Sequence, residues 1–133
     1  MNAAILTNEF PPEIYGGAGI HVKFLTQELA KLCHVEARCF GVQDEDKDNI
    51  RAIGFSRKLG LNPHDDRFQK IFKPLDINLQ WAAALDNIDV IHCHTWYSHF
   101  GGVLASRLLQ CPLILTTHSL EPHRPWKAEQ LGD

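Results

Sequence analysis

Glu13-Ile14-Tyr15-Gly16-Gly17-Ala18-Gly19 is the stretch on which the fold turns. Before it runs an apolar segment, Ala3-Ala4-Ile5-Leu6-Thr7, short enough to be a buried strand. After it, Val22, Leu25, Leu29 and Leu32 recur at helical spacing. The order is strand, glycine-rich loop, helix. This places unhindered backbone N–H groups at the positive end of a helix dipole, where phosphate or another anion is received. Glycine also lets a ligand lie directly on the main chain. A second reading stays open, a tight βα turn that needs glycine for its own geometry. The spacing is neither the dinucleotide fingerprint G-x-G-x-x-G nor the P-loop, which requires Gly-Lys-Ser/Thr.

Outward from this loop, Pro11-Pro12 hold the preceding segment extended and stop either element from running through it. The first helix is expected from Ala18 to Leu32, burying Val22, Leu25, Leu29 and Leu32. His34 to Phe40 reads as a strand with Val35, Ala37 and Cys39 on one face, ended by Gly41. Asp44-Glu45-Asp46-Lys47-Asp48 reads as a solvated loop, because it lacks the ligand spacing and distal glutamate of a calcium loop. Ile50 to Phe55 is a short strand, and Ser56 to Asp66 is a turn-rich loop able to sit over a cleft.

Arg67 to Leu85 is expected as a helix broken or restarted at Pro74, with Ile71, Phe72, Leu75, Leu79 and Ala83 toward the core. Phe68 and Trp81 read as packing residues. Asp89 to His94 forms a strand, and a helix runs from Ser98, its expected N-cap, to Leu109. Gly101-Gly102 in its first turn permit close backbone packing. Leu113 to His118 is an apolar, β-branched run that reads as a further strand. Pro122 and Pro125 lead into a new helix beginning at Trp126.

Strands alternating with helices predict an α/β fold, a Rossmann-like parallel sheet with helices on both faces. Right-handed crossovers put the βα loops at one edge, and ligands bind there at the switch point. Three candidate constellations fall at strand carboxyl ends. They are the Gly16–Gly19 loop, His94-Thr95-Trp96 and Thr117-His118-Ser119.

With 133 residues there is enough chain for one core but not two. A net charge of -3 gives no electrostatic case for nucleic acid. No apolar stretch is long enough to span a membrane, and the start lacks a signal-peptide pattern, so a cytoplasmic protein without membrane partners is expected. The four cysteines contain no C-x-x-C pair, and free buried thiols are expected.

His92 and His94, two apart on a strand, share a face. Zinc would need further ligands, with His118 the candidate third. A switch point more often holds sugar or nucleotide, so no metal is expected. His92 reads as a core histidine, and His94, nearer the strand exit, as more open to a ligand. Trp96 could stack on a sugar ring or close the end of the core. His118 can donate one hydrogen bond and accept another, which fits a sugar hydroxyl. No G-x-S-x-G elbow is present, and Glu9, Glu13 and Glu121 cannot be paired as a glycosidase would need. The eight histidines otherwise show no organisation. A flavodoxin-like regulator would need a phospho-acceptor aspartate at a strand end, and none is found.

Thr7-Asn8-Glu9-Phe10-Pro11-Pro12 with the glycine loop, Asp89-Val90-Ile91-His92-Cys93-His94-Thr95-Trp96, Thr117-His118-Ser119-Leu120-Glu121-Pro122 and Arg124 to Gly132 together resemble the bacterial glycogen synthase family. The match is nearest to its actinobacterial-type branch, which makes maltose 1-phosphate or α-1,4-glucan from a nucleoside diphosphate glucose. These are retaining family 4 glycosyltransferases of the GT-B fold. The resemblance covers nearly the whole chain but only the enzyme's acceptor-side, N-terminal domain. It implies that residues 1–133 are a partial Rossmann-like domain, since further strands normally follow the helix begun at Trp126. It also implies that the C-terminal nucleotide-binding domain, with its basic pair, is missing from these 133 residues.

The same resemblance implies roles. Gly16, Gly17 and Gly19 would approach the donor's diphosphate and sugar. His118 would bind the transferred sugar and stabilise its developing positive charge. His94, Thr95 and Trp96 would lie near the acceptor. Many glycogen synthases carry aspartate where Thr95 stands and lysine where Ile14 stands. Both departures fit the actinobacterial-type branch and count against classical glucan elongation. The expected reaction moves glucose from ADP-glucose or UDP-glucose to an α-glucan or glucose 1-phosphate, with retention by front-face attack, and without cofactor or metal. The chain alone is not expected to turn over. The alternative is a non-catalytic glucan- or phosphate-binding module. The strand from Leu113 exposes an edge, and a homodimer through that edge is a further expectation.

Overall fold

The computed structural model describes residues 1–119. Six strands, β1 (Asn2–Leu6), β2 (His34–Phe40), β3 (Asp44–Lys47), β4 (Ile50–Phe55), β5 (Val90–His94) and β6 (Leu113–Thr116), form one sheet in the order β3-β4-β2-β1-β5-β6. All neighbours are parallel except β3, which is antiparallel to β4. The helices are α1 (Gly17–Leu29), α2 (Gln69–Ala84) and α3 (Trp96–Leu109), with a 3₁₀ turn at Asp66–Phe68 ahead of α2.

Period-two alternation sorts the strands onto two cores. Ala3, Ile5, Val35, Ala37 and Cys39 pack with Val22 of α1 on one face. Ala4, Leu6, Ile91 and Cys93 pack with Ile77 and Trp81 of α2 and Ala105 of α3 on the other. Ile5, Leu6, Ile77 and Ile91 are fully buried, each worth about 1.5–3 kcal/mol of transfer free energy. Trp81 lies between Phe40 and Phe55, with ring centroids 5.5 and 6.4 Å away. The chain runs outward from β1 through β2 to β4, then returns across to β5 on the other side of β1. The switch point is therefore the crevice between the carboxyl ends of β1 and β5.

The two-face α/β sheet and the spans of β2 and β4 match the sequence reading. The charge run does not, for it forms β3. Asp48 and Asn49 both adopt positive φ, at 53° and 65°, and make the two-residue turn that matches strand twist. Arg51 then pairs across the hairpin with Asp44 at 2.6 Å and donates to the Glu45 carbonyl at 3.1 Å.

The first helix stops at Leu29, and Leu32 is exposed. The second runs unbroken through Pro74, because the lost N–H falls in its second turn and the helix is anchored downstream by packing. Its buried face is Pro74, Ile77, Asn78, Trp81 and Ala82, so Ile71, Leu79 and Ala83 turn to solvent, as does Phe68. The phase is set by polar side chains that find partners inside. Asn78 accepts from the Gly101 N–H and donates to the carbonyls of Pro74 and Tyr97, both at 2.7 Å. The N-cap of α3 lies three residues earlier than Ser98, at Thr95, while the Ser98 hydroxyl is buried and donates to the His94 carbonyl at 2.9 Å. Gly101 and Gly102 do pack closely. A Cβ at Gly102 would stand 2.1 Å from Cys93 Sγ. All four cysteines are free. No helix among the described residues is long and apolar enough to cross a membrane. The expected helix from Trp126 and the residues of the resemblance from Leu120 to Gly132 lie outside the described residues.

Candidate functional site

The β1–α1 loop and α1 make one side of the crevice. Glu9, almost fully buried, turns its carboxylate toward the start of α1 and accepts from the N–H groups of Tyr15 at 3.1 Å and Gly16 at 2.8 Å. Part of the anion site read in the sequence is thus filled by the protein itself. The N–H groups of the first helical turn, at Gly17, Ala18 and Gly19, have no intrahelical acceptor. The glycines divide by what surrounds them. A Cβ on Gly19 would come within 2.6 Å of Glu9 Oε2, so Gly19 is required by packing. A Cβ on Gly17 would meet nothing within 4 Å, so packing makes no demand for glycine there. Open space over bare main chain at a helix start is what a ligand phosphate uses.

The other side comes from β5 and β6. Thr95, at φ 67°, leaves β5 in a conformation unfavourable for a β-branched residue. Its N–H donates to the Thr116 carbonyl at 2.8 Å, and its hydroxyl donates to Asn8 Oδ1 at 3.1 Å. The latter ties the β1 and β5 exits together across the switch point. His118 also has positive φ, 60°. Strained backbone of this kind costs about 1–3 kcal/mol per residue and clusters where a side chain must be aimed.

His21 joins His92, His94 and His118 in one group, whereas the sequence reading left every histidine outside those three unorganised. His92 Nε2 lies 2.8 Å from Thr116 Oγ1, which makes it a hydrogen-bonded core residue as expected. His94 is not open to solvent; it is completely buried, and its Nδ1 lies 2.9 Å from His118 Nε2. The correction follows from α1, whose His21 covers it, with ring centroids 5.6 Å apart. His21 also meets the His118 ring edge-on at 5.1 Å. Glycine-loop helix and β6 exit are therefore joined through a residue the sequence reading passed over. The available signal was its position, one helical turn beyond Gly17.

Burial, then the neighbouring His92 and His118, push the His94 imidazole down to about 3, so it is neutral at pH 7. Burial also lowers His118, followed by His21, while the Glu9 carboxylate acts in the opposite sense. Between neutral rings, one nitrogen donates and the other accepts.

Beside this cluster a cleft of about 540 Å³ opens over the strand ends. Asn8 and Tyr15 line it from the β1 loop, Arg57 from the segment after β4, Lys70 and Lys73 from α2, and Trp96 and Tyr97 from α3. Its size suits a small polar ligand. Trp96 is 55% exposed and stacks on Tyr97 at 4.1 Å, so it does not close the core. Arg57 is held by the Leu61 carbonyl and Asn62 Oδ1, both at 2.7 Å. Among the described residues none of these three cations is in an ion pair. They were not singled out in the sequence, because they are scattered along it and only the packing phase of α2 brings them together.

Sheet order, switch-point crevice and polar strand exits define a Rossmann-like α/β domain built to hold a ligand at its loop edge. The chain belongs to glycosyltransferase family 4, whose sequence profile, Glycosyltransferase Family 4, matches residues 15–132. It is 42% identical over 132 residues to the α-maltose-1-phosphate synthase of Mycobacterium tuberculosis, covering 99% of this chain and 32% of that enzyme. It is 23% identical over 158 residues to a glycogen synthase of the same organism, covering 37% of it. In fold it is similar to sucrose-phosphate synthase from Thermosynechococcus elongatus, with a TM-score of 0.67 at 21% identity, over 96% of this chain and 35% of that one. The chain thus spans about a third of the length of the curated relatives it matches, 32% in the first case.

Proposed function

We propose that residues 1–133 are the acceptor-side part of a retaining glucosyltransferase that moves glucose from ADP-glucose or UDP-glucose to glucose 1-phosphate, a C-terminal domain supplying the nucleotide site. The observation that carries this reading is the open first turn of α1 at Gly17, linked through His21 to the imidazole of His118. One side receives the donor's phosphates, and the other hydrogen-bonds the sugar whose anomeric carbon gains positive charge. Preorganised N–H groups stabilise the departing diphosphate, so the transfer itself calls for no resident metal. The likeness to α-maltose-1-phosphate synthase supports the phosphorylated acceptor over a glucan. So do Arg57, Lys70 and Lys73 in the cleft beside Trp96. Trp96 offers the sugar a flat face, and the lysines offer its phosphate a counter-charge.

Calorimetric titration of the chain with glucose 1-phosphate and with maltotetraose tests the reading. Glucose 1-phosphate is expected to bind, and Lys73→Gln to weaken it by about tenfold, the effect of losing ~1.4 kcal/mol of charge-assisted contact. In the enzyme completed by its nucleotide-binding domain, Gly17→Ala is expected to leave the fold intact and weaken ADP-glucose. Maltotetraose binding that ignores Lys73, with no response to glucose 1-phosphate, would replace this reading with a glucan-binding module.

A further inference from the structure

The ring nitrogens of His21, His94 and His118 converge so that one ligand atom from each lies within 4.8 Å of the other two. They come from three separate elements, α1, the end of β5 and the exit of β6, so the cluster is a product of the fold and not of local sequence. His94 is held immobile on the sheet, with its Nδ1 2.9 Å from His118 Nε2 and its Nε2 buried without a partner among the described residues. His21 and His118 are exposed and free to adjust. A tetrahedral ion with Zn–N bonds of about 2.0–2.1 Å needs its ligands ~3.3 Å apart. The His94–His118 pair already stands near that distance, and a side-chain rotation of His21 closes the rest.

We propose that these three imidazoles form a binding site for a divalent late transition metal such as Zn²⁺, with the fourth coordination position open toward the crevice. Imidazole is a preferred ligand for such ions, and three of them with an open position is a recurrent zinc arrangement. The nearby Glu9 carboxylate adds an attractive field for a cation. His92, whose ring is turned to Thr116, stays outside the set. On the proposed function, an ion here takes the His118 nitrogen away from the sugar and acts as an inhibitor. The metal site itself does not rest on that reading.

Titration of the chain with Co²⁺, followed by visible absorption, tests it. One equivalent is expected to give the intense bands of a four-coordinate site, and Zn²⁺ is expected to abolish them. Loss of one exposed ligand, in His21→Ala or His118→Asn, is expected to weaken binding by at least ~10-fold, while His64→Ala leaves it unchanged. Imidazole ¹H–¹⁵N spectra of the parent protein with Zn²⁺ give a check that needs no variant, with shifts expected at these three rings. Absence of the bands at 100 µM-scale metal, affinity unchanged in His21→Ala and His118→Asn, or shifts confined to other histidines would each overturn the site.

Discussion

Asp76 has no solvent exposure, yet it is an acid on a helix that the hydrophobic pattern would turn outward. Its carboxylate accepts from the N–H groups of Lys58 at 3.1 Å and Leu59 at 3.0 Å, and from Gln80 at 2.7 Å. Burial raises its proton affinity, but these hydrogen bonds together outweigh that and hold it below the ordinary carboxylate value. The sign of the pH effect follows. The unfolded chain takes up the proton first as pH falls through about 4, so the stabilisation is complete above that pH and is lost on further acidification. Asp76→Asn should therefore lower the melting temperature at pH 7 and flatten its fall below pH 4, read by calorimetry across that range. Leaving the two N–H groups poorly paired costs about 1–3 kcal/mol. A single residue of this kind is invisible to a hydropathy reading, because its partners lie in another segment. His94 and His118 stood out in the sequence because each closes an apolar run that reads as a strand, which is a local fact. That His94 is buried, and that His21 completes the group, depend on where α1 lies.

Among the elements, α3 packs on α2 and on β5 through its glycine pair. Gly101 meets Asn78, and Gly102 meets Cys93 at a distance where no side chain fits. The sequence reading saw the glycine pair as close packing and was right, since two glycines in a helix cost propensity and need a reason. The phase of α2 was not legible, because Asp76 and Asn78 count as polar in any periodicity although their polar atoms are used inside the protein. The acidic run failed for the opposite cause. Its residues are exposed, and what makes it a strand is the turn at Asp48-Asn49 and the pairing with Arg51. Gly102→Ala is expected to destabilise by about 1–3 kcal/mol through overpacking. Cys93→Ala in the same chain should recover part of that loss, since the Sγ atom is the nearest obstacle. Chemical denaturation of the two single variants and the double variant measures the coupling, and simple additivity would show that Cys93 is not the contact that matters.

At the scale of the whole molecule, the two borders of the sheet are unlike. On β6, Ile114 is 49% and Leu115 46% exposed, one on each face, so this border is apolar as well as unpaired among the described residues. Pairing of two chains along β6 is the expected outcome, detected by light scattering as a doubled mass that Ile114→Lys returns to one chain. A single-chain mass for the parent at all concentrations would remove the expectation. The far border is β3, Asp44-Glu45-Asp46-Lys47, whose four side chains are all exposed and mostly of one sign. Such a border repels a copy of itself and offers no apolar purchase to β6. On that expectation assembly through the sheet stops at two chains: among the described residues only the β6 border is adhesive, so two copies consume each other's capacity, and the acidic hairpin denies an endless ribbon.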